Sequence, residues 1–387
     1  MISRRVMCSA QSDPGWSADG GSTPAPRTGS WWSGRLDPRA PNAFSLLRFL
    51  AATLVVIGHT FPILGLPERG VLGDSFGAIA VDVFFVMSGF LITSAWERRT
   101  SLWQYARNRI LRIVPGYAGV AAATVLVIGP AVTVFPLADY FRSEATWLYL
   151  RNATFTVMRF DLPGVFLANP LPVVVNGSLW TLPIEAAMYV AVAVLGAARL
   201  LHRRRLVLVL AGLAAVEILA QDFLVAHDVT LLGIMPVASV VDFGIYFALG
   251  ALAWLWRDVL VLRADVAAGL LLTTWALPPS TLQRVFFMAA IPYATPFAAR
   301  CPWTWATRFG QRRDLSYGLY LYAFPLQQCV VLVGGRDMPF ALHLTLSWLL
   351  ALGCAALSWR FIEQPALALK RRTARTRDRV APVAARG

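Results

Sequence analysis

Charged residues are scarce in this chain of 387 residues, since Asp, Glu, Lys and Arg together make up 14% of it. Soluble globular domains carry about 25% charged residues, so this composition excludes an ordinary soluble domain. Cysteine is also rare, and the chain has four: Cys8, Cys301, Cys329 and Cys354. No two of them are closely spaced, which matches neither a zinc site nor a disulfide framework, and we expect no bound metal.

The chain is instead rich in apolar residues. They make up 57% of the sequence, and the mean hydropathy is +0.58. Apolar runs recur along the chain, and each is long enough to cross a hydrocarbon core of about 30 Å. The sequence therefore predicts an all-α polytopic membrane protein with about ten transmembrane helices, near 44–64, 77–96, 113–136, 178–200, 205–224, 230–256, 259–277, 281–299, 313–334 and 340–362.

Three segments fall outside these spans. Residues 1–42 are rich in Gly, Ser, Pro and Arg and contain no apolar core like that of a signal peptide, so we expect a disordered cytoplasmic N-terminal tail or an over-extended start. Residues 366–387 form a basic cytoplasmic C-terminal tail, which leaves 43–365 as the transmembrane domain. Segment 140–160 is aromatic but carries four charges, and we expect it to be interfacial or re-entrant.

The distribution of Lys and Arg predicts the orientation. With both termini cytoplasmic, 29 of the 35 basic residues lie on the inner side, and the outer loops hold only Arg69, Arg142, Arg151, Arg159, Arg284 and Arg336. This follows the positive-inside rule. The net charge of +14 is then a topology signal facing anionic lipid, and we expect membrane lipid and not nucleic acid as the partner.

Arg48 and His59 are polar residues within the first predicted span. They are 11 residues apart, so they share one helix face within about 20° and differ in depth by about 16 Å. Each has an ordinary explanation, because Arg48 could reach the interface with its head group and His59 could bond a neighbouring helix. Their alignment favours a shared cavity.

Asp82 and Glu185 lie about two turns below the outer ends of their own spans, at nearly the depth of His59. Isolated carboxylates in a membrane are costly, so we expect these two groups to hydrogen-bond with His59. A histidine oriented by a carboxylate suits general-base catalysis. A proton-coupled carrier would use the same groups.

Arg109 and Arg112 are three residues apart at the inner boundary of the third span and share a helix face. Paired guanidinium groups suit a phosphate-bearing ligand, although charge of this sign is common at an inner boundary. A ligand with a charged head and a long thin arm would join these arginines to His59. Acyl-coenzyme A has this shape.

Six motifs occur in order along the chain: Arg48 with His59, VDVFFVMSGFLI (81–92), Arg109 with Arg112, SLWTLPIEAAMY (178–189), LSYGLYLYAFP (315–325) and RFIEQP (360–365). Together they make residues 44–365 resemble the acyltransferase-3 family of integral membrane acyltransferases, which includes O-antigen and exopolysaccharide O-acetyltransferases of bacterial inner membranes.

The resemblance implies ten transmembrane helices and transfer of an acyl group, usually acetyl from cytoplasmic acetyl-CoA, to a hydroxyl of a carbohydrate or glycolipid acceptor. It implies that His59 is the catalytic histidine, that Arg48, Arg109 and Arg112 handle the acyl-CoA, and that Glu185 is the motif glutamate. We add Asp82 as a second carboxylate that could orient His59.

The chain departs from the family pattern at Ala323, where many members have histidine, and we expect no appended esterase-like domain. We expect structural positions for His202, His227 and His343, the last at a helix cap or interface, and an ion pair between Glu363 and the arginines. Two other functions stay open, a proton-coupled transporter and a non-catalytic membrane partner of a polysaccharide assembly machine.

Overall fold

The computed structural model describes residues 33–35, 37, 40–99, 101–311 and 313–369. About 71% of the chain is helical, which confirms the predicted all-α class. Most of the predicted N-terminal tail, and all of the C-terminal tail beyond residue 369, lie outside the described residues. The orientation of the bundle stays a prediction.

Fourteen α-helices occur in the described residues: α1 Phe44–Ile63, α2 Phe76–Glu97, α3 Leu102–Ala123, α4 Gly129–Val132, α5 Leu137–Arg142, α6 Glu144–Leu148, α7 Thr181–Ala197, α8 Arg203–Ala226, α9 Val237–Leu255, α10 Ala264–Ala276, α11 Thr281–Ala299, α12 Thr304–Arg308, α13 Ser316–Gly334 and α14 Phe340–Ser358. A π-helical turn, Thr124–Ile128, joins α3 to α4, and a second one, Trp359–Glu363, follows α14.

Among the described residues, seven helices are long and apolar enough to cross a membrane, namely α1, α2, α3 with α4, α8, α9, α13 and α14 with the helical residues that follow it to Leu369. Each of the other three predicted spans also contains a helix. Of these, α7 has 17 residues and α10 has 13, whereas α11 has 19 but is not among the seven. The protein is therefore a multi-pass membrane protein, and the count of ten crossings stays a prediction.

Helix α3 begins earlier than its apolar run. The Ser101 hydroxyl accepts a hydrogen bond from the backbone N–H of Gln104 at 3.1 Å, which caps the helix at its N-terminus. The helix therefore starts eleven residues before the predicted span at 113. Arg109 and Arg112 consequently lie inside a helix, on fixed positions of its surface.

The central contact of the bundle joins α2 to α9 through two glycines. A Cβ atom at Gly89 would overlap the carbonyl oxygen of Phe247, and one at Gly250 would overlap that of Val86. Small residues permit such close backbone approach between membrane helices. Helix α1 packs against both α2 and α13, and α13 packs against α14.

Segment 140–160 forms short helices, as expected of a segment that does not cross the membrane. After α5 and α6 comes the 3₁₀ helix Tyr149–Thr154, which packs against α3. The Tyr140 hydroxyl donates to the carbonyl of Val125 at 3.0 Å, inside the π-helical turn where the backbone pairing changes. Tyr140 and Tyr149 are fully buried, so the segment is part of the core.

In the part of the chain that the structure describes, six short strands form three two-stranded pairs. Two are hairpins in loops, β2 Gly70–Val71 with β3 Asp74–Ser75 and β4 Thr230–Leu231 with β5 Met235–Pro236. The third joins β1 Ser33–Arg35 to β6 Val261–Arg263 in an antiparallel register. Residues 33–35 belong to the predicted N-terminal tail, whose bounds stay a prediction.

Candidate active site

A cavity of about 130 Å³ that opens to the surface lies between α1, α2, α3, α7 and the start of α13. Its polar wall combines three arginines with hydroxyl groups and one carboxylate: Arg48, Arg109, Arg112, Ser88, Glu185, Tyr189, Thr181, Ser316, Tyr317 and Tyr320. The remaining wall is apolar, from Val81 to Ile92 on α2 and at Ile113 and Leu182. Charge at one end and apolar walls beyond it are typical of a site for a long amphiphilic ligand.

The predicted arginines do meet at this cavity, and Asp314 joins two of them. Its Oδ2 atom lies 2.7 Å from a terminal nitrogen of Arg112 and 3.3 Å from one of Arg48. Burial by itself would raise the pKa of Asp314, but the guanidinium groups of Arg112 and Arg48 outweigh burial and lower that pKa below its ordinary value of 3.8. Asp314 is therefore an ionised counter-ion.

Glu363 is the second carboxylate that lies close to these arginines. Its Oε2 atom lies 3.7 Å from Arg112, and its Oε1 atom accepts a hydrogen bond from the Ser358 hydroxyl at 3.2 Å. The expected ion pair between Glu363 and the arginines is thus confirmed. The residue belongs to a π-helical turn, a local widening of the helix that often occurs at functional sites.

Arg109 differs from its two neighbours. Within the described part of the chain no carboxylate lies within ion-pairing distance of it, and its buried Nε atom, like that of Arg48, has no hydrogen-bond partner. Its guanidinium carbon lies 6.0 Å from the centre of the Tyr189 ring, a weak cation–π contact at most. Among the described residues, Arg109 is therefore the arginine of this cavity that has no carboxylate partner.

Glu185 lies deeper in the cavity and is held by two hydroxyl groups. Ser88 donates to its Oε1 atom at 2.9 Å, and Tyr189, one turn further along α7, donates to the same oxygen. Both donors use Oε1, which leaves Oε2 for the cavity that Glu185 lines. The expectation that Glu185 hydrogen-bonds His59 is wrong, because its protein partners are Ser88 and Tyr189.

His59 is inside the bundle but does not line the cavity. It lies on the same face of α1 as Arg48, and its ring packs edge-on against Phe324 of α13, with ring centres 5.0 Å apart. The Nδ1 atom is buried and has no hydrogen-bond partner. The imidazole therefore has an unengaged nitrogen and an aromatic neighbour, and no carboxylate holds it.

Asp82 lies on another side of α2, only 3% exposed, close to Asp242 and Tyr246 of α9. It is about 120° around the helix from Ser88, which faces the cavity. The expected grouping of Asp82 with His59 is wrong for this reason. Equal depth in the membrane did not place the two side chains on facing surfaces.

His343 is fully buried, whereas the sequence suggested a cap or an interface position. Its Nε2 atom donates to the carbonyl of Gln327 at 3.0 Å. The Gln327 side chain donates in turn to the carbonyl of Val56 and to the Thr60 hydroxyl, at 2.9 and 2.8 Å. This network fixes the part of α1 that carries His59.

Two residues of the site were missed from the sequence. Asp314 follows two arginines in a loop, where a lone acidic residue reads as ordinary interfacial charge. Ser88 lies within the quoted motif VDVFFVMSGFLI, but an alcohol in an apolar helix indicates nothing specific without its partner on α7. Within the described residues no group of three or more His, Cys, Asp or Glu side chains could hold a metal ion.

Comparison with known proteins agrees with this arrangement. The family model described as an acyltransferase domain matches residues 42–360. An "O-acetyl transferase" of Shigella phage Sf6 is 26% identical over 330 residues, which cover 84% of this chain and 95% of the phage protein. "Nodulation protein 10" of Rhizobium leguminosarum is 27% identical over 362 residues, covering 85% of this chain and 94% of that protein.

A shorter match is to "Peptidoglycan O-acetyltransferase OatA" of Listeria monocytogenes, 32% identical over 129 residues that cover 29% of this chain and 18% of the listerial protein. No solved structure matches the chain significantly. The family model covers most of the chain, including Arg48, Arg109, Arg112, Glu185 and His59. The chain belongs to the acyltransferase-3 family of membrane acyltransferases.

Proposed function

We propose that the protein transfers an acetyl group from cytoplasmic acetyl-CoA to a hydroxyl of a cell-surface carbohydrate or lipid-linked glycan, in the inner membrane of a bacterium. The names of the phage and listerial relatives support O-acetyl transfer. The cavity, with arginines at one end and apolar walls beyond them, supports a donor with a phosphorylated head and a narrow arm.

The observation that carries the proposal is that Arg109 has no carboxylate partner among the described residues. Arg112 forms ion pairs with Asp314 and Glu363, and Arg48 forms one with Asp314. These two arginines are therefore held in place before any ligand binds. Arg109 lines the same cavity and has a buried Nε atom without a partner. A phosphate group of the donor would supply the missing anion.

The reaction needs a base for the acceptor hydroxyl. We assign this role to His59, whose Nδ1 atom is free of protein partners. As His59 takes the hydroxyl proton, the hydroxyl oxygen forms a bond to the thioester carbonyl carbon, the bond from carbon to sulfur breaks, and the thiolate takes up a proton. Glu185 does not orient His59 in this proposal. It contacts the donor, because its Oε2 atom faces the cavity and not His59.

A proton-coupled transporter would need a relay through Arg48, Asp82, His59 and Glu185. In the described structure Asp82 lies close to Tyr246, Glu185 accepts hydrogen bonds from Ser88 and Tyr189, and neither carboxylate bonds His59. This arrangement and the family membership favour acyl transfer over transport.

The test uses membranes that contain the full-length protein, supplied with radiolabelled acetyl-CoA, and counts label in the extracted glycan. We expect His59→Ala to lower labelling by about 100-fold or more, the usual contribution of a positioned acid or base. Arg112→Ala should also lower labelling, because it removes a guanidinium group from the cavity that would hold the donor. His227→Ala and Arg204→Ala are controls with exposed side chains and should label like the wild type. Undiminished labelling by both site variants would refute the proposal.

A further inference from the structure

Two aromatic side chains meet in the cavity wall on the side where His59 lies. Phe84 of α2 and Tyr320 of α13 meet edge-on, with ring centres 5.8 Å apart, and both line the cavity. His59 is not among the lining residues. We call the Phe84–Tyr320 pair the roof of the cavity.

Tyr320 is held firmly in this position. Its hydroxyl donates to the carbonyl of Ser178 at 2.7 Å, so the Thr181 hydroxyl, 2.5 Å away, must be the donor in the second bond. The ring is 8% exposed. Both hydrogen bonds would be lost if the ring swung aside.

Two helices independently place His59 about one turn beyond the lining of the cavity. On α13 its neighbour Phe324 is four residues after Tyr320, a rise of about 6 Å. On α2 a Cβ atom added to Gly58 would overlap the backbone of Gly77, which is four residues from Val81, the lining residue nearest the start of α2. His59 therefore lies about 6 Å beyond the last lining residues, and the roof lies between its level and that of the arginines.

An acyl group that reaches His59 from the arginine end must pass this roof. Acetyl places a single methyl group beyond the thioester carbonyl, whereas a longer chain needs space that the two rings fill. We propose that the roof makes the enzyme selective for short acyl groups, with Phe84 as the main specificity-determining residue. This inference rests on the proposed function, because it assumes that an acyl-CoA thioester fills the cavity.

Phe84 is the better residue to change, because no hydrogen bond depends on its side chain. In Phe84→Ala the Tyr320 ring stays fixed by Thr181 and Ser178, and only the opposite half of the roof is removed. Phe84→Leu removes less volume and should have a smaller effect. Phe223→Ala is the matched control, since this ring is 58% exposed on α8 and far from the cavity walls.

The experiment measures transfer from labelled acetyl-CoA and octanoyl-CoA by membranes that contain the full-length protein. We expect the wild type to favour acetyl over octanoyl by at least about tenfold, within the range that small differences in a hydrophobic pocket produce. Phe84→Ala should lower this preference by about tenfold, Phe84→Leu by less, and Phe223→Ala not at all.

The outcomes separate the two proposals. If the wild type transfers neither acyl group, the proposed function fails. If the wild type transfers acetyl and octanoyl equally well, or if the preference is unchanged in Phe84→Ala and Phe84→Leu while both still transfer acetyl, the roof does not select the acyl group. The wild-type preference alone can overturn the inference even if a variant fails to fold.

Discussion

Asp314 is the residue through which Arg48 and Arg112 are held together, and its replacement by asparagine should destabilise the protein. Asp314→Asn removes the charge from the hydrogen bond to Arg112 and leaves two neighbouring guanidinium groups without their shared carboxylate. Hydrogen bonds to charged groups contribute about 2 kcal/mol, so we expect a lower thermal unfolding midpoint in detergent. Asp265→Asn is the control, because that carboxylate forms an exposed ion pair with Arg263 that should contribute little.

The pH dependence of this effect follows from the lowered pKa of Asp314. A carboxyl whose pKa is lower in the folded state stabilises the protein fully above its unfolded value, and this stabilisation is lost only as the pH falls through the lower folded value. The difference in midpoint between wild type and Asp314→Asn should therefore be equal at about pH 5 and about pH 8. A difference that disappears at the lower pH would contradict the assignment of Asp314 as an ionised counter-ion.

The site could be predicted in part from single residues. Helical periodicity was enough to put Arg109 and Arg112 on one face and to align Arg48 with His59. Depth alone could not say which way Asp82 and Glu185 point, since the direction of a side chain depends on which helices pack around it. Asp314 could not be found because its partner Arg112 is 202 residues away in sequence and only the packed bundle brings them together.

Helices α2 and α9 are held at close range by Gly89 and Gly250, and a methyl group at either position should separate them. The added carbon would overlap a carbonyl oxygen of the facing backbone, which cannot move as a side chain can. Overpacking of this kind costs about 1–3 kcal/mol. We expect Gly89→Ala and Gly250→Ala to lower the thermal unfolding midpoint in detergent.

Gly212→Ala is the matched control for these substitutions. Gly212 lies in α8, where a new Cβ atom would meet nothing within 4 Å, and alanine favours helix more than glycine does. Its midpoint should stay the same or rise. Equal midpoints for Gly89→Ala and Gly212→Ala would mean that the α2–α9 contact is looser than the structure shows.

Hydropathy predicted a helix in every span but not the helix ends. Arginines lowered the apparent hydropathy at the start of α3, so the predicted span began at 113, although capping by Ser101 starts the helix at Leu102. The opposite holds for α10, where an apolar run of predicted transmembrane length gives a helix of 13 residues because the strand β6 takes up its first part.

Exposed tryptophans mark the two ends of the whole molecule. Trp103, Trp303 and Trp305 are all more than half exposed and lie on the side that the basic residues predict to be inner, while Trp275, 70% exposed, lies near the opposite end of α10. Tryptophan is enriched at both membrane interfaces. From Trp275 we predict that α10 reaches the outer interface, although its 13 residues span only about 20 Å.

The loop between α10 and α11 decides whether the bundle crosses the membrane ten times or eight. In a cysteine-free background, Pro279→Cys places a thiol at an exposed position of this loop, and His202→Cys places one in the loop before α8. If α10 and α11 cross, a membrane-impermeant maleimide will label position 279 in intact cells and position 202 only after permeabilisation. Labelling of both positions only after permeabilisation would leave α10 and α11 as a hairpin on the inner side.

The short α10 can cross because the bilayer can thin locally around it at a modest cost. The remaining helices would keep their orientation in either case, since a hairpin adds an even number of crossings.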